Sequence, residues 1–165
     1  MVQAQWRTMI SANYRRYGLH DPTCEESGNV ATAVAGAGGD GVGWATNALL
    51  IEVVSDLARI GVLVEVGDAA PATGDDADLV RDGRLELPGG IVSVPQSVDD
   101  VFQRGVQLPA GPGTYGVRVS GYGRTRARQL WRADDFDALT GVESYRISLW
   151  QVSSEPRWET TTMTA

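Results

Sequence analysis

The sequence predicts a mostly-β protein: a β-sandwich of short antiparallel strands joined by Gly/Pro turns, with little helix. Three observations predict it. Val- and Ile-rich runs recur along the chain, and several alternate apolar with polar residues, the period of a half-buried strand. Gly and Pro, 20 and 7 of the 165 residues, punctuate those runs, and such punctuation marks turns. Five Trp and five Tyr against two Phe supply large, partly polar anchors suited to packing one sheet on another. A chain of this length buries roughly 70% of its unfolded surface and holds a core without disulfides or metals. One domain is expected over residues 1–158, followed by a tail, 159–165, that frays.

In chain order, Ser11–Leu19 mixes aromatic and polar residues and reads as the first strand, and His20–Gly28 as a turn-rich connection. Asn29–Val34 is a short Ala/Val strand candidate leading into the glycine run Gly36–Gly43. Ala48–Val66 admits two readings. Leu50, Val53, Val54, Leu57 and Ile60 have helical spacing, whereas LLIEVVS and RIGVLVEVG read as two strands. The Val and Ile content favours strands. Asp68–Asp78 is a loop, with Pro71, Gly74 and its Asp residues. Arg84–Leu87 and Ile91–Val94 flank a hairpin turn at Pro88-Gly89-Gly90, and Ser97–Gly105 holds one helical turn. Val106–Leu108 and Tyr115–Tyr122 flank Pro109–Thr114; within the second, Val117 and Val119 oppose Arg118 and Ser120. Gly123–Leu139 is a long charged insertion, and Ser144–Val152 is the last strand, with Tyr145, Ile147 and Leu149 opposite Arg146, Ser148 and Trp150.

Charge narrows the function classes. The net charge is −7, with a pI near 4.6, which disfavours nucleic acid and anionic membrane as partners and favours a basic protein. All fourteen basic residues are Arg. No stretch reaches the roughly 18 apolar residues of a membrane span, and the start shows no signal-peptide core, so a cytoplasmic protein is expected. Cys24 is the single cysteine, which excludes an internal disulfide, and one His with one Cys builds no common zinc site. No cofactor and no metal are expected.

Each motif has a sharp reading and a plain one. Gly36-Ala37-Gly38-Gly39-Asp40-Gly41 spells G-x-G-x-x-G, which in a strand–turn–helix context cradles a pyrophosphate. The downstream hairpins do not supply alternating strands and helices, so a flexible glycine loop is the plainer reading, and a nucleotide-binding enzyme is the alternative. His20, Asp21 and Cys24 suggest a nucleophile set, but Glu25 and Glu26 push a thiol pKa the wrong way for activation. Three acidic clusters stand out: Asp75, Asp76 and Asp78; Asp99 and Asp100; Asp134, Asp135 and Asp137. None has calcium-loop spacing, which leaves solvated loops or a surface for a basic partner. Arg124, Arg126 and Arg128 would share one face of a strand near Trp131, with Arg132 following; beside the Asp134–Asp137 run they are expected to pair with local carboxylates rather than with nucleic acid.

The order of these landmarks resembles one family, competence protein J, the small intracellular inhibitor of a DNA-entry nuclease, with its relatives. The pieces are ISANYRRYGLHD, then GDGVGWATNALLIEVV and GVLVEVGDAAP, then GRLELPGGIVSV, then LPAGPGTYGVRVSGYGR, and last YRISLW. Pro112 and Gly113 add two residues to the L-P-x-G-x-Y element, and the Arg/Asp insertion before the last strand is extra. The resemblance implies a compact β-sandwich without catalysis and, in the family's best-known member, direct inhibition of a nuclease. It carries no binding residues across.

The expectation is a non-catalytic protein-binding domain, an inhibitor or immunity-type partner of a basic nuclease or toxin. Its acidic rim would be Asp134, Asp135 and Asp137, then Asp75, Asp76 and Asp78, with Trp131 and Tyr122 as anchors unless they pack in the core. An assembly module pairing through free strand edges is a further alternative.

Overall fold

The computed structural model describes residues 1–12, 14–24, 32–37, 41–55, 58–72, 74, 76–94 and 105–155. The larger sheet has the strand order β1 (Val2–Ser11), β5 (Arg59–Gly67), β10 (Ser144–Ser153), β9 (Gly113–Tyr122) and β6 (Leu79–Leu87). The smaller sheet has the order β2 (Arg16–His20), β4 (Ala48–Glu52) and β3 (Val42–Trp44). A short pair, β7 (Ile91–Val92) with β8 (Val106–Gln107), continues it, because His20 and Ser93 exchange backbone hydrogen bonds of 3.0 and 2.8 Å.

The period-2 pattern sets the layers. Tyr115, Val117 and Val119 of β9, Tyr145, Ile147 and Leu149 of β10 and alternate residues of β5 from Ile60 to Val66 turn inward. They meet Tyr17, Leu19, Leu49 and Ile51 of the smaller sheet in one buried cluster. This is the expected sandwich, and β4 and β5 are the two strands favoured over a helix in Ala48–Val66.

Five expectations are corrected, among them the hairpin at Pro88-Gly89-Gly90, since β6 pairs with β9 and β7 with β8 rather than with each other. The first strand is Val2–Ser11 rather than Ser11–Leu19. Within the latter, Tyr14 and Arg15 turn the chain in left-handed backbone conformations, φ 49° and 62°, before β2 begins. Residues 32–34, the described part of the expected Asn29–Val34 strand, belong instead to a short helix, α1, over residues 32–36, as an Ala-rich run favours. Its Ala33, with Ala37, is buried against Leu50. Gly43 of β3 passes so near that a Cβ there would lie 1.7 Å from the Ala33 carbonyl oxygen. The glycine run thus follows a helix and enters a strand, the reverse of a pyrophosphate-binding turn. Residues 124–132 form a helix, α2, not a strand. Finally, β10 pairs antiparallel with β9 but parallel with β5, because it enters last between two strands already running in opposite directions. The helical turn expected at Ser97–Gly105 and the tail 159–165 fall on residues outside the described set, Gly105 excepted.

The same directions explain the long acidic connection. β5 and β6 run the same way with β10 and β9 between them. The connection from β5 to β6 must therefore recross the sheet, and its described residues, 68–72, 74 and 76–78, do so over the outer face. Arg118 on that face donates from Nη1 to the Pro71 carbonyl at 3.0 Å, and the outward-facing Ser120 and Ser148 are buried.

Candidate functional site

The surface that best combines charge with an exposed aromatic is built by α2 and the turn after it. Gly123 starts the helix at φ 72°, where a Cβ would lie 2.0 Å from the Val142 carbonyl oxygen. Asp78, at the end of the crossing connection, accepts from the Arg124 backbone N–H at 2.7 Å and from the Thr125 hydroxyl at 3.2 Å. A carboxylate at this end satisfies an orphan amide and meets the positive pole of the helix. Arg124, Ala127 and Leu130 form the buried face; Ala127 and Leu130 pack on Val54, Ala58 and Leu139.

Beneath α2 lies a buried polar cluster. Glu143, 3% exposed, accepts from the Val54 backbone N–H at 3.0 Å and from the Tyr145 hydroxyl at 2.5 Å. Arg124 donates from Nη1 to the Glu52 carbonyl at 2.7 Å and to the Tyr145 hydroxyl, and it lies 3.5 Å from Glu143. Burial, with the Glu143 charge second, holds the Tyr145 phenol far above its usual pKa. The Tyr17 ring meets Tyr145 edge-on at 5.6 Å, and its buried hydroxyl has no hydrogen-bond partner among the described residues. Burial is again the largest cause of its raised pKa, followed by Tyr145 and Glu143. Every other polar group here is engaged by a neighbour, so the cluster serves to fasten β4, α2 and β10.

At its other end α2 closes in a Schellman turn. The Asp135 N–H reaches the Leu130 carbonyl at 3.0 Å and the Asp134 N–H reaches the Trp131 carbonyl at 3.2 Å, with Asp134 left-handed at φ 56°. Asp134, Asp135 and Asp137 are all exposed. Between them Phe136, 39% exposed, stacks edge-on to Trp131 at 5.2 Å and 71°. Trp131 is partly buried against the Ala127–Leu130 cluster. The turn therefore presents a partly exposed aromatic, held against Trp131, with three exposed carboxylates next to it in the chain.

The remaining sequence candidates lie elsewhere. Asp78 is tied to α2, Asp76 is exposed on the crossing connection, and Asp75 and the Asp99–Asp100 pair lie outside the described residues. Tyr122 stands on the outer face of the larger sheet, opposite Ser144. Arg126, Arg128 and Arg132 are exposed, and no ion pair joins them to a described carboxylate; Arg124 pairs with the distant, buried Glu143 rather than with the neighbouring Asp run, so the expected local pairing is not seen among the described residues. The sequence reading missed Phe136, although an aromatic inside an Asp run is itself a signal. Asp21 is buried, accepting from the Thr23 and Gly89 backbone N–H groups at 2.9 and 2.7 Å. Partial burial, then Asp21, raise the Cys24 thiol pKa, against nucleophilic use.

No protein-family model matches the sequence, and no curated protein matches it. Solved structures do match in shape. ComJ from Bacillus subtilis, inhibitor of the DNA-degrading activity of NucA, aligns with a TM-score of 0.59 at 12% identity, over 92% of this chain and 99% of ComJ. The chain has the ComJ fold. The protein described as crocagin biosynthetic gene J aligns with a TM-score of 0.58 at 17% identity, over 90% of this chain and 96% of its own. At these identities the likeness is one of fold, and as such it bears out the expected competence protein J type of sandwich. No helix among the described residues is long and apolar enough to cross a membrane.

Proposed function

We propose that this protein is a non-catalytic, cytoplasmic inhibitor or immunity-type partner of a basic nuclease or toxin. The observation that carries the reading is the α2 turn, where the exposed Asp134, Asp135 and Asp137 flank the partly exposed Phe136 in the chain, on a ComJ-type sandwich. Nuclease clefts are basic because they hold phosphates, and an acidic rim of complementary charge speeds encounter. A partly buried aromatic pair at the centre supplies the anchor that slows dissociation. Inhibition follows by occlusion: the turn fills the cleft and excludes the nucleic acid. Tyr122, on another face, takes no part in this surface.

The partner is captured from native extract and its binding followed on a sensor at two salt concentrations. Association should slow as salt rises. Reversing Asp134, Asp135 and Asp137 to Arg should slow association further, whereas Phe136→Ala should act mainly on dissociation. A triple reversal that binds with unchanged kinetics at low salt removes the turn from the interface. A captured partner that is neither basic nor a nuclease or toxin ends the inhibitor reading.

A further inference from the structure

The outer face of the larger sheet holds a second feature, independent of the α2 turn. Strand register places Arg7, Leu63 and Arg146 in one row, and Met9, Gly61 and Ser144 in the next, with Tyr122 beside Ser144. Gly61 contributes no side chain, so the rows enclose a trough of about 620 Å³ whose floor is Gly61 and Leu63. That volume falls within the range of small-molecule sites.

Its charge is opposite to that of the chain as a whole. Arg146 is compensated: Glu65 accepts from its Nε at 2.6 Å. Arg7 is exposed at the rim, and no described carboxylate pairs with it. In a protein of net charge −7, the trough thus keeps a guanidinium that no carboxylate among the described residues pairs with, beside the thioether of Met9, the side chain of Leu63 and the ring of Tyr122. A polyanion is repelled by the acidic body, and a cation is repelled by Arg7. A single carboxylate matches the guanidinium fork, and an apolar body matches the floor.

The geometry points to this trough as a binding site for a small amphipathic monocarboxylate, its carboxylate on Arg7 and its apolar body lying over Gly61 and Leu63 toward Tyr122. A Cβ at Gly61 meets Ser144 Cβ at 3.5 Å and Met9 Sδ at 3.7 Å, ordinary contacts, so Gly61→Leu fills the floor while leaving room for the backbone as it stands.

Three probes share an indole body and differ in charge: indole-3-acetate, indole-3-acetamide and tryptamine. Each is titrated into the full chain with backbone amide shifts as the readout. Indole-3-acetate should give saturable shifts centred on Leu63, Ser144 and Tyr122, and the amide and amine should bind at least about tenfold more weakly. Arg7→Gln should weaken the acetate by about tenfold, and Gly61→Leu should abolish its shifts while thermal melting shows both variants folded. Asn at Asp134, Asp135 and Asp137 should leave the titration unchanged, which separates this site from the α2 turn. The proposal is overturned if indole-3-acetate gives no saturable shift in the trough, if tryptamine or the amide binds as tightly, or if a folded Arg7→Gln binds as the parent does.

Discussion

Asp134 holds a position that glycine or asparagine usually fills. It is the left-handed residue of the Schellman turn, φ 56°, and it puts a negative charge at the negative pole of α2. Both features oppose helix closure. Asp134→Gly should therefore stabilise the fold by about 0.5–1 kcal/mol, seen as a higher urea midpoint with an unchanged slope. An unchanged or lower midpoint would show that the turn gains something from the carboxylate. A residue so placed is more easily understood if its charge is used at the surface. Glu143 is the contrary case: its removal strands the Arg124 guanidinium, the Tyr145 hydroxyl and the Val54 amide in the interior. Glu143→Ala should cost about 3–5 kcal/mol, and a loss below about 1 kcal/mol would mean that water replaces the carboxylate. Neither role is legible in the sequence, because both depend on groups brought together from distant segments.

Elements with a clean period were legible. Tyr115–Tyr122 and Ser144–Val152 lie within β9 and β10, since Tyr115, Val117 and Val119 line one face of the first and Tyr145, Ile147 and Leu149 one face of the second. β1 was missed although Ala4, Trp6 and Ile10 share the inner side of an edge strand, because Gln, Arg and Thr between and among them dilute the pattern. α2 was missed for a different reason. Its buried face is Arg124, Ala127 and Leu130, so apolar periodicity is nearly absent, and its first turn is held by Asp78 from another segment. The acidic turn was found as a charge cluster, but its geometry follows from that helix. Asp78→Ala should release about 1 kcal/mol of stability, and amide exchange should quicken most in the first turn of α2. Uniform quickening across β9 and β10 would instead place Asp78 in the global fold.

At the scale of the whole molecule, strand direction was beyond the sequence, because a period of two is the same whichever way a strand runs. The parallel β5–β10 pair and the passage of the β5–β6 connection over the outer face at Pro71 therefore emerged only in three dimensions. The sandwich itself leads to the last prediction, since three of its tyrosines lie in the shared core. Burial raises the phenol pKa values of Tyr17 and Tyr145 and pushes Tyr115 up to about 12. Their unfolded value is about 10. A group whose pKa is raised in the fold contributes its full stability below the unfolded value and loses it as pH rises beyond. Stability should thus be level up to about pH 10 and fall steeply above it, with tyrosinate absorbance and loss of far-UV dichroism rising together. Tyr17 adds a second effect of the opposite sign, because its buried hydroxyl has no hydrogen-bond partner among the described residues. Tyr17→Phe removes that orphan group and should stabilise the protein by about 1 kcal/mol at pH 7. It should also lessen the alkaline loss, since one of the three raised phenols is gone. A Tyr17→Phe variant that is less stable at neutral pH would mean that the hydroxyl is hydrogen-bonded in solution, to water held beside the Glu143–Arg124 cluster.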